Sequence, residues 1–338
     1  MNNKKVGREV ALYMINENGS KNKILQLAKS YSKEHHLKFL PYDGDNILQS
    51  FNYLYDENWE NEDAYPYEVL TYLFDSYYVL PQRPDLAALF CWQAINRLYY
   101  VRQLRMSEIG KCSDTRGIEL IRKTLLDNWN RYKPILEPYL DKMSIKTFHY
   151  VASYMLKGYA METYGITEKY RASAYNTLKK RIPAIIDIMN KSYGKSYCQI
   201  ANPIIIDGTV QMGISDAEKC KSRSIIHSFA QKLRKLMLDE TVEITFFSEP
   251  DRKKEYNFTK EEQLSFLLFG ILYASRCNNF HGNVAARMNS INANIDTYNM
   301  YMDMYLVEYI ILAICMNDLS ILSDDALDRV EKNVNIMR

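Results

Sequence analysis

Apolar residues recur at helical spacing along most of the chain, and the spacing is densest between residues 264 and 274. There, one stripe follows the i, i+3, i+4, i+7, i+8 positions of a helix that faces a core, and aromatic residues add a second stripe. The two stripes consist of Leu264, Leu267, Leu268, Ile271 and Leu272, then Phe266, Phe269 and Tyr273. We expect this helix to be buried on most sides, yet it runs directly into a polar segment, 276–281. Polar groups at the end of a buried helix cost free energy unless they have partners or a function.

Similar periodicity predicts further helices, and local signals set their limits. Asp85 and Ser144 each lie next to the start of an apolar repeat and are predicted N-caps. Thr259 and Glu262 are predicted to form a capping box in front of the buried helix. Another helix should stop before Pro134, because proline interrupts helical hydrogen bonding. The predicted helices are one or two within residues 1–40, broken at 18–20, and then 46–60, 65–79, 85–109, 115–132, 144–163, 168–192, 216–238, 296–316 and 323–334.

Two stretches interrupt the helical pattern. Residues 241–247 and 255–259 predict a small β-hairpin joined by a polar turn. Composition also changes at 197–215, an extended-looking segment with one proline and two glycines, which we interpret as a domain boundary. The chain is therefore expected to be all-α. A helical domain over 1–198 would serve recognition or regulation, and a helical bundle with a small β-hairpin insertion would occupy 199–338.

The composition is typical of a folded protein. Of its 338 residues, 47% are hydrophobic, and twelve glycines and nine prolines are few for a turn-rich sandwich or barrel. No N-terminal signal is visible, and the two most apolar stretches, 264–274 and 305–316, are too short to span a bilayer. The six cysteines are scattered, with no pair at zinc-ligand spacing, and we interpret them as reduced thiols. We expect a soluble, cytoplasmic protein without a metal, a cofactor or a membrane partner.

The net charge of +2 conceals a segregation along the chain. Residues 51–100 carry two basic and eight acidic side chains, a net of −6. Residues 101–200 carry eighteen basic and nine acidic ones, a net of +9. Such a basic stretch suits contact with phosphates, and it equally suits pairing with the acidic stretch in the fold. The 28 tyrosines are spread over most of the predicted helices, which favours packing over base stacking.

The polar segment 276–281 contains an arginine and a histidine, two side chains that are suited to catalysis. The chain has no glycine-rich phosphate loop, no H-E-x-x-H or G-x-S-x-G motif and no carboxylate cluster near His281. Arg276 is a permanent cation whose planar fork suits a phosphate, and His281 can exchange a proton near neutral pH. Together they suit the cleavage of RNA, in which the 2′-hydroxyl loses a proton and attacks the adjacent phosphorus without a metal.

The segment Arg276-Cys-Asn-Asn-Phe-His281-Gly282, between an apolar helix and another long helix, resembles the signature of HEPN-domain ribonucleases. In that family an arginine is followed, after four to six residues, by a histidine on a small helical bundle. Members include RNA-cleaving toxins, abortive-infection proteins and the nuclease halves of RNA-guided effectors. The resemblance covers roughly residues 215–338. Cys277 stands where many members carry a polar residue, and the amides follow at Asn278 and Asn279.

The resemblance implies roles for the residues of the motif. His281 would be the general base or acid, Arg276 the phosphate stabiliser, and Asn278 or Asn279 an orienting hydrogen-bond donor. Residues five apart on a regular helix lie about 140° apart around its axis. Arg276 and His281 therefore meet only if the backbone departs from a regular helix or if a second chain completes the site. HEPN domains pair about a two-fold axis, which implies a homodimer through the C-terminal domain. In a structural alternative, both side chains cap helix ends and bond exposed carbonyls.

The implied function is a metal-independent endoribonuclease, a toxin or phage-defence effector, with RNA as substrate and a possible neutralising or activating protein partner. The alternative is a non-catalytic HEPN-type module that binds RNA or protein as a scaffold. The basic helix 216–238 would hold the RNA backbone, and apolar surface around Tyr273 and Phe280 would form the dimer contact. Elsewhere, His149 lies beside Tyr150 and other apolar residues, and a lone histidine in such company is more often packed than a ligand.

Overall fold

The structure of the protein, a computed structural model, describes residues 40, 44–60, 66–105, 113–166, 173–206, 209–280, 288 and 294–337. These residues are mostly helical, with 75% helix, 8% strand and two small antiparallel hairpins, which confirms the expected all-α class. The helices predicted before residue 40 lie outside the described residues. Contacts divide the chain into two compact units. Unit 1 comprises Met1–Leu98 and Asn278–Arg338, and unit 2 comprises Tyr99–Cys277. The boundary predicted between residues 198 and 199 lies inside unit 2, and the separate roles of 1–198 and 199–338 stay predictions.

Within the described ranges the chain forms fourteen α-helices, α1–α14, and four strands, β1–β4. The part of the chain up to residue 198 contains α1 (Gly44–Ser50), α2 (Tyr67–Val79), α3 (Pro84–Arg105), α4 (Asp114–Asp127), α5 (Trp129–Lys142), α6 (Ile145–Thr163), α7 (Ser173–Arg181), α8 (Pro183–Met189) and α9 (Lys195–Cys198). The remainder contains β1 (Asn202–Ile206), β2 (Thr209–Gly213), α10 (Lys219–Met237), β3 (Val242–Phe246), β4 (Glu249–Tyr256), α11 (Lys260–Ser265), α12 (Tyr273–Phe280), α13 (Ile295–Asp318) and α14 (Asp324–Glu331). Two π-helical segments, Asn190–Gly194 and Phe266–Leu272, join α8 to α9 and α11 to α12.

Unit 1 is built on α13, in which every residue from Met300 to Asn317 is buried. A helix that is apolar on all sides belongs at the centre of a bundle. Its Tyr309 hydroxyl accepts a hydrogen bond from the backbone N–H of Leu54 at 2.5 Å and lies 2.7 Å from the Tyr77 hydroxyl. The tyrosines of α13 therefore serve packing and internal hydrogen bonding, as their distribution along the chain predicts.

Unit 2 surrounds the buried helix that the sequence predicts. Its central part, Phe266–Leu272, is buried at every residue and contacts α4, α6 and α7. Phe148 of α6 stacks on Phe266 with the ring centroids 6.5 Å apart. Helix α10 packs alongside α6. The core of unit 2 thus encloses the helix that leads to Arg276.

Two predicted helix starts are confirmed. The Ser144 hydroxyl accepts a hydrogen bond from the Lys146 N–H at 3.1 Å, and α6 begins directly after it. The capping box is complete, because the Thr259 hydroxyl accepts from the Glu262 N–H at 3.2 Å and a Glu262 carboxylate oxygen accepts from the Thr259 N–H at 2.9 Å. These bonds satisfy N–H groups that the first turn of a helix leaves without partners.

The predicted N-cap at Asp85 is wrong, because α3 already begins at Pro84. Proline suits the first helical position, since it has a fixed φ angle and its missing N–H would have no partner there. The Asp85 carboxylate instead accepts two hydrogen bonds from the Arg83 guanidinium, at 2.8 and 2.7 Å.

The predicted end of a helix before Pro134 is also wrong. The break falls at Asn128, and α5 continues through both Pro134 and Pro138. A proline inside a helix costs about 3 kcal/mol. Burial of the apolar face of α5 offsets that cost; the buried residues are Trp129, Tyr132, Leu136, Tyr139 and Leu140.

The predicted hairpin at 241–259 is confirmed as β3–β4, which pair antiparallel. Its second strand begins at Glu249, so most of the predicted polar turn is strand. A second hairpin, β1–β2, lies within the extended segment 197–215 and was not predicted.

Among the described helices, α13 is the one that is long and apolar enough to cross a membrane by length and composition alone. The helix extends well before the apolar run 305–316 that the sequence shows. Its additional first turns carry polar residues such as Asp296 and Asn299. Of its most apolar window, 94% is buried inside the protein, and the core helix of a soluble protein passes the same test.

Candidate active site

Arg276 lies on α12, directly after the π-helical segment Phe266–Leu272. In a π-helix the hydrogen bonds run from residue i to i+5, an arrangement that is frequent near functional sites. Tyrosines of α6 add bonds to carbonyls of this helix. The Tyr154 hydroxyl donates to the Gly270 carbonyl at 2.6 Å, and the Tyr150 hydroxyl donates to the Ala274 carbonyl at 3.1 Å. The backbone that leads to Arg276 is therefore tied to a neighbouring helix.

The Arg276 side chain forms an ion pair with Asp114 of α4, with Nη2 and Oδ2 3.0 Å apart. The arginine side chain is 19% exposed and the aspartate side chain 32%. The guanidinium also lies 5.8 Å from the centroid of the Tyr273 ring, one turn earlier on α12. Arg276 is thus held in a defined orientation by residues from two elements.

Asp114 is itself positioned by the end of α3. The Tyr99 hydroxyl donates to Asp114 Oδ1 at 3.1 Å, and the Ser113 N–H donates to the Gln103 side chain at 3.2 Å. The Tyr99 ring lies where a side chain at Gly117 would stand, since a Cβ there would be 2.0 Å from the ring. Asp114 also occupies the first turn of α4, where a carboxylate is favoured by the helix dipole.

The two tyrosines beside the ion pair keep their protons at neutral pH. Burial, together with the charge of Asp114, raises the pKa of Tyr99 above its usual value. Burial and a hydrogen bond with Cys277 raise the pKa of Tyr273 to about 12. Tyr99 therefore acts as a hydrogen-bond donor to Asp114 rather than as a negative charge near Arg276.

The structure describes the other motif residues only in part. His281 and Gly282 lie outside the described residues, and of Asn278 and Asn279 the backbone alone is described. That backbone is regular α-helix as far as Phe280. An irregular backbone was one of the two ways in which Arg276 could meet His281, and it is not found before residue 281. The pairing of Arg276 with His281 stays a prediction.

Sequence reasoning missed Asp114 and Tyr99. They precede Arg276 by more than 150 residues, and nothing in their local sequence links them to it. Asp114 lies in the gap between the predicted helices 85–109 and 115–132, where an acidic residue is an ordinary helix-start signal.

The basic stretch belongs to unit 2, and the acidic stretch lies almost entirely in unit 1. Several basic side chains of unit 2 pair with carboxylates of the same unit. Arg122 contacts Glu119 and Glu261 at 2.6 Å, and Arg181 also pairs with Glu119. Contact between the basic face of α10 and RNA stays a prediction.

His149 does not have the isolated, packed position that its neighbours in sequence suggest. It is half-buried on α6, and its Nε2 atom lies 2.8 Å from Nδ1 of the exposed His227 on α10. Burial, with the electrostatic influence of the neighbouring His227 and Lys146, lowers the pKa of His149.

Comparisons with models of known protein families, with curated proteins and with solved structures find no match to this chain. Within the described part of the chain, no group of three or more histidine, cysteine, aspartate or glutamate side chains is arranged to hold a metal ion.

Proposed function

We propose that the protein is a metal-independent endoribonuclease whose active site includes Arg276 and His281. The observation that carries the proposal is the fixed position of Arg276, which follows a buried helix and is held by Asp114 at 3.0 Å. An arginine held in advance stabilises a developing charge without the cost of ordering it during the reaction. The motif Arg276-Cys-Asn-Asn-Phe-His281, with its resemblance to HEPN-domain ribonucleases, supplies the second support.

In the proposed reaction, His281 removes the proton from a ribose 2′-hydroxyl, or donates a proton to the leaving oxygen. The 2′-oxygen forms a bond with the adjacent phosphorus while the bond from phosphorus to the 5′-oxygen breaks. The products are a 2′,3′-cyclic phosphate and a 5′-hydroxyl. Arg276 stabilises the negative charge on the phosphate, and Asn278 or Asn279 orients it through a hydrogen bond.

Asp114 acts as a positioning residue in this proposal. A guanidinium has five N–H donors, so one edge can bond a carboxylate while another bonds a phosphate. Asp114 holds Arg276 until the substrate binds, and Tyr99 holds Asp114 through its hydroxyl.

The proposed setting is a cytoplasmic toxin or phage-defence effector that cleaves RNA as a homodimer. A neutralising or activating protein partner belongs to the same proposal. An effector of this kind needs control over its activity, and the helical domain predicted over 1–198 would exert that control.

The proposal is tested by comparing RNA cleavage by the wild type and by His281→Ala. We expect the variant to lose cleavage while its helicity and melting temperature stay nearly unchanged, because an active-site polar group is rarely a net stabiliser. His36→Ala, which removes another histidine of the chain, is the matched control and should cleave normally. Wild-type cleavage should persist in excess EDTA and leave 2′,3′-cyclic phosphate ends.

Undiminished cleavage by a clean His281→Ala preparation would contradict the proposal, and so would a strict requirement for Mg²⁺. The alternative function is a non-catalytic module that binds RNA or protein. One feature favours it: the charge of Arg276 is already balanced by Asp114. RNA binding by the wild type without any cleavage would select this alternative.

A further inference from the structure

Unit 2 brings together two histidines that the sequence separates by 78 positions. His149 lies on α6 and His227 on α10, with 2.8 Å between Nε2 of the first and Nδ1 of the second. The rings meet edge to face, with their centroids 5.0 Å apart and their planes at 66°. The contact is therefore a direct one between two imidazole nitrogens.

This contact restricts the protonation of the pair. Two protonated rings would each point an N–H at the other, so the hydrogen bond requires at least one neutral ring that offers a lone pair. A neutral imidazole nitrogen is also the form that binds a metal ion. Because His227 is exposed and His149 is half-buried, an ion from solution can reach the pair.

The distance between the nitrogens suits a shared ion. Two ligand nitrogens at about 2.0–2.1 Å from a zinc ion and at a tetrahedral angle lie about 3.3 Å apart. The two nitrogens would therefore move apart by only about 0.5 Å to hold the ion between them. Small rotations of both side chains supply such a displacement.

Helix packing holds both histidines in place. Each lies inside a long helix, and α6 and α10 pack side by side. Phe148 and Val151 flank His149 in sequence and are fully buried, and Phe229 is buried two residues after His227. A site on two rigid elements loses little entropy when it binds its ligand.

We infer that His149 and His227 form a binding site for a divalent cation that prefers imidazole ligands, such as Zn²⁺ or Ni²⁺, with water completing its coordination. Imidazole suits these ions better than it suits Mg²⁺ or Ca²⁺, which prefer oxygen ligands. The bound ion links α6 to α10 and stabilises unit 2. The site is separate from Arg276 and does not depend on RNA cleavage.

An anion is the competing ligand, because Lys146 and Arg223 lie one helical turn before His149 and His227 respectively. A phosphate would need N–H donors from both rings, and the observed hydrogen bond uses one ring as an acceptor. The contact between the rings therefore favours a cation. The two nearby positive charges lower the affinity for a cation without removing the ligands.

The test is a titration of the full-length protein with ZnCl₂ and with NiCl₂ by isothermal calorimetry, accompanied by thermal unfolding with and without the metal. We expect saturable binding of one ion per chain and a rise in melting temperature that EDTA reverses. His149→Gln and His227→Gln should each weaken binding by more than the roughly tenfold that loss of an outer-shell partner costs. His36→Gln, at another histidine of the chain, is the control and should bind like the wild type.

His227 is exposed, so His227→Gln decides the question even if His149→Gln does not fold. Wild-type affinity in a folded His227→Gln protein would overturn the inference. Absence of saturable binding by the wild type at millimolar metal would do so as well. If inorganic phosphate stabilises the wild type but not the two variants, and the metals have no effect, the pair is an anion site instead.

Discussion

At the scale of single residues, Arg276 and Glu308 show two different environments for an ionisable side chain. Arg276 in unit 2 has a carboxylate partner at 3.0 Å, so loss of Asp114 would leave a largely buried charge without its counter-ion. Glu308 on α13 in unit 1 is 3% exposed, and its Oε2 atom has no hydrogen-bond partner among the described residues. Burial raises the pKa of Glu308 well above its usual value, which keeps the side chain neutral over a wider pH range.

We predict that Glu308→Gln raises the melting temperature and that the gain grows with pH. In the unfolded chain Glu308 loses its proton near the ordinary pKa of about 4.3, whereas the folded protein retains it. Between the unfolded and folded pKa values, unfolding releases a proton, so rising pH destabilises the wild type but not the glutamine variant. Thermal unfolding at about pH 5 and about pH 8 measures the effect.

The exposed Glu57 lies in the same unit, and Glu57→Gln is the matched control for the replacement of a glutamate by glutamine. A difference between Glu308→Gln and the wild type that is the same at both pH values would contradict the raised pKa.

At the scale of elements, the helix that leads to Arg276 is held by local bonds at its start and by tertiary bonds further along. The capping box of Thr259 and Glu262 sets the first turn of α11. Tyr150 and Tyr154 of α6 then bond carbonyls of the same continuous helix. The position of Arg276 depends on both kinds of bond.

We predict that Thr259→Ala lowers the free energy of unfolding by about 1 kcal/mol, because the Glu262 N–H loses its hydroxyl acceptor. Urea unfolding of the full-length protein measures the change. Thr241→Ala, at an exposed loop position just before β3, is the control and should stay within about 0.5 kcal/mol of the wild type. Equal effects of the two substitutions would show that the cap does not contribute.

At the scale of the whole molecule, the chain leaves unit 1 after Leu98 and returns to it at Asn278. Arg276 therefore belongs to unit 2. In the proposed reaction a single chain supplies one motif histidine, yet cleavage needs both a base and an acid. Two chains related by a two-fold axis supply both.

We predict that the active protein is a homodimer whose two motifs face a shared groove. Light scattering at micromolar concentration should give twice the chain mass of 39.7 kDa. The same sample is assayed for RNA cleavage, so that mass and activity refer to one preparation. A mass of one chain in a preparation that cleaves RNA would contradict the dimeric site.

The sequence alone determined some of the local features of this protein. The starts of α6 and α11 depend on side-chain bonds to the next two or three residues, so Ser144 and the pair Thr259 and Glu262 predicted them correctly. The burial of Phe266–Leu272 followed from apolar spacing, because a helix with apolar side chains on every face needs partners on every face. The proposed chemistry of Arg276 follows from residue type and stays a prediction.

Only the tertiary structure decided which distant groups meet. Asp114 and Arg276 are far apart in sequence, as are His149 and His227, and each contact depends on how whole helices pack. The continuation of α5 through Pro134 was decided in the same way, because burial of its apolar face offsets the local cost of proline. Local rules describe the bonds that a residue makes with its neighbours in sequence, whereas these contacts depend on surfaces that exist only after the helices have formed.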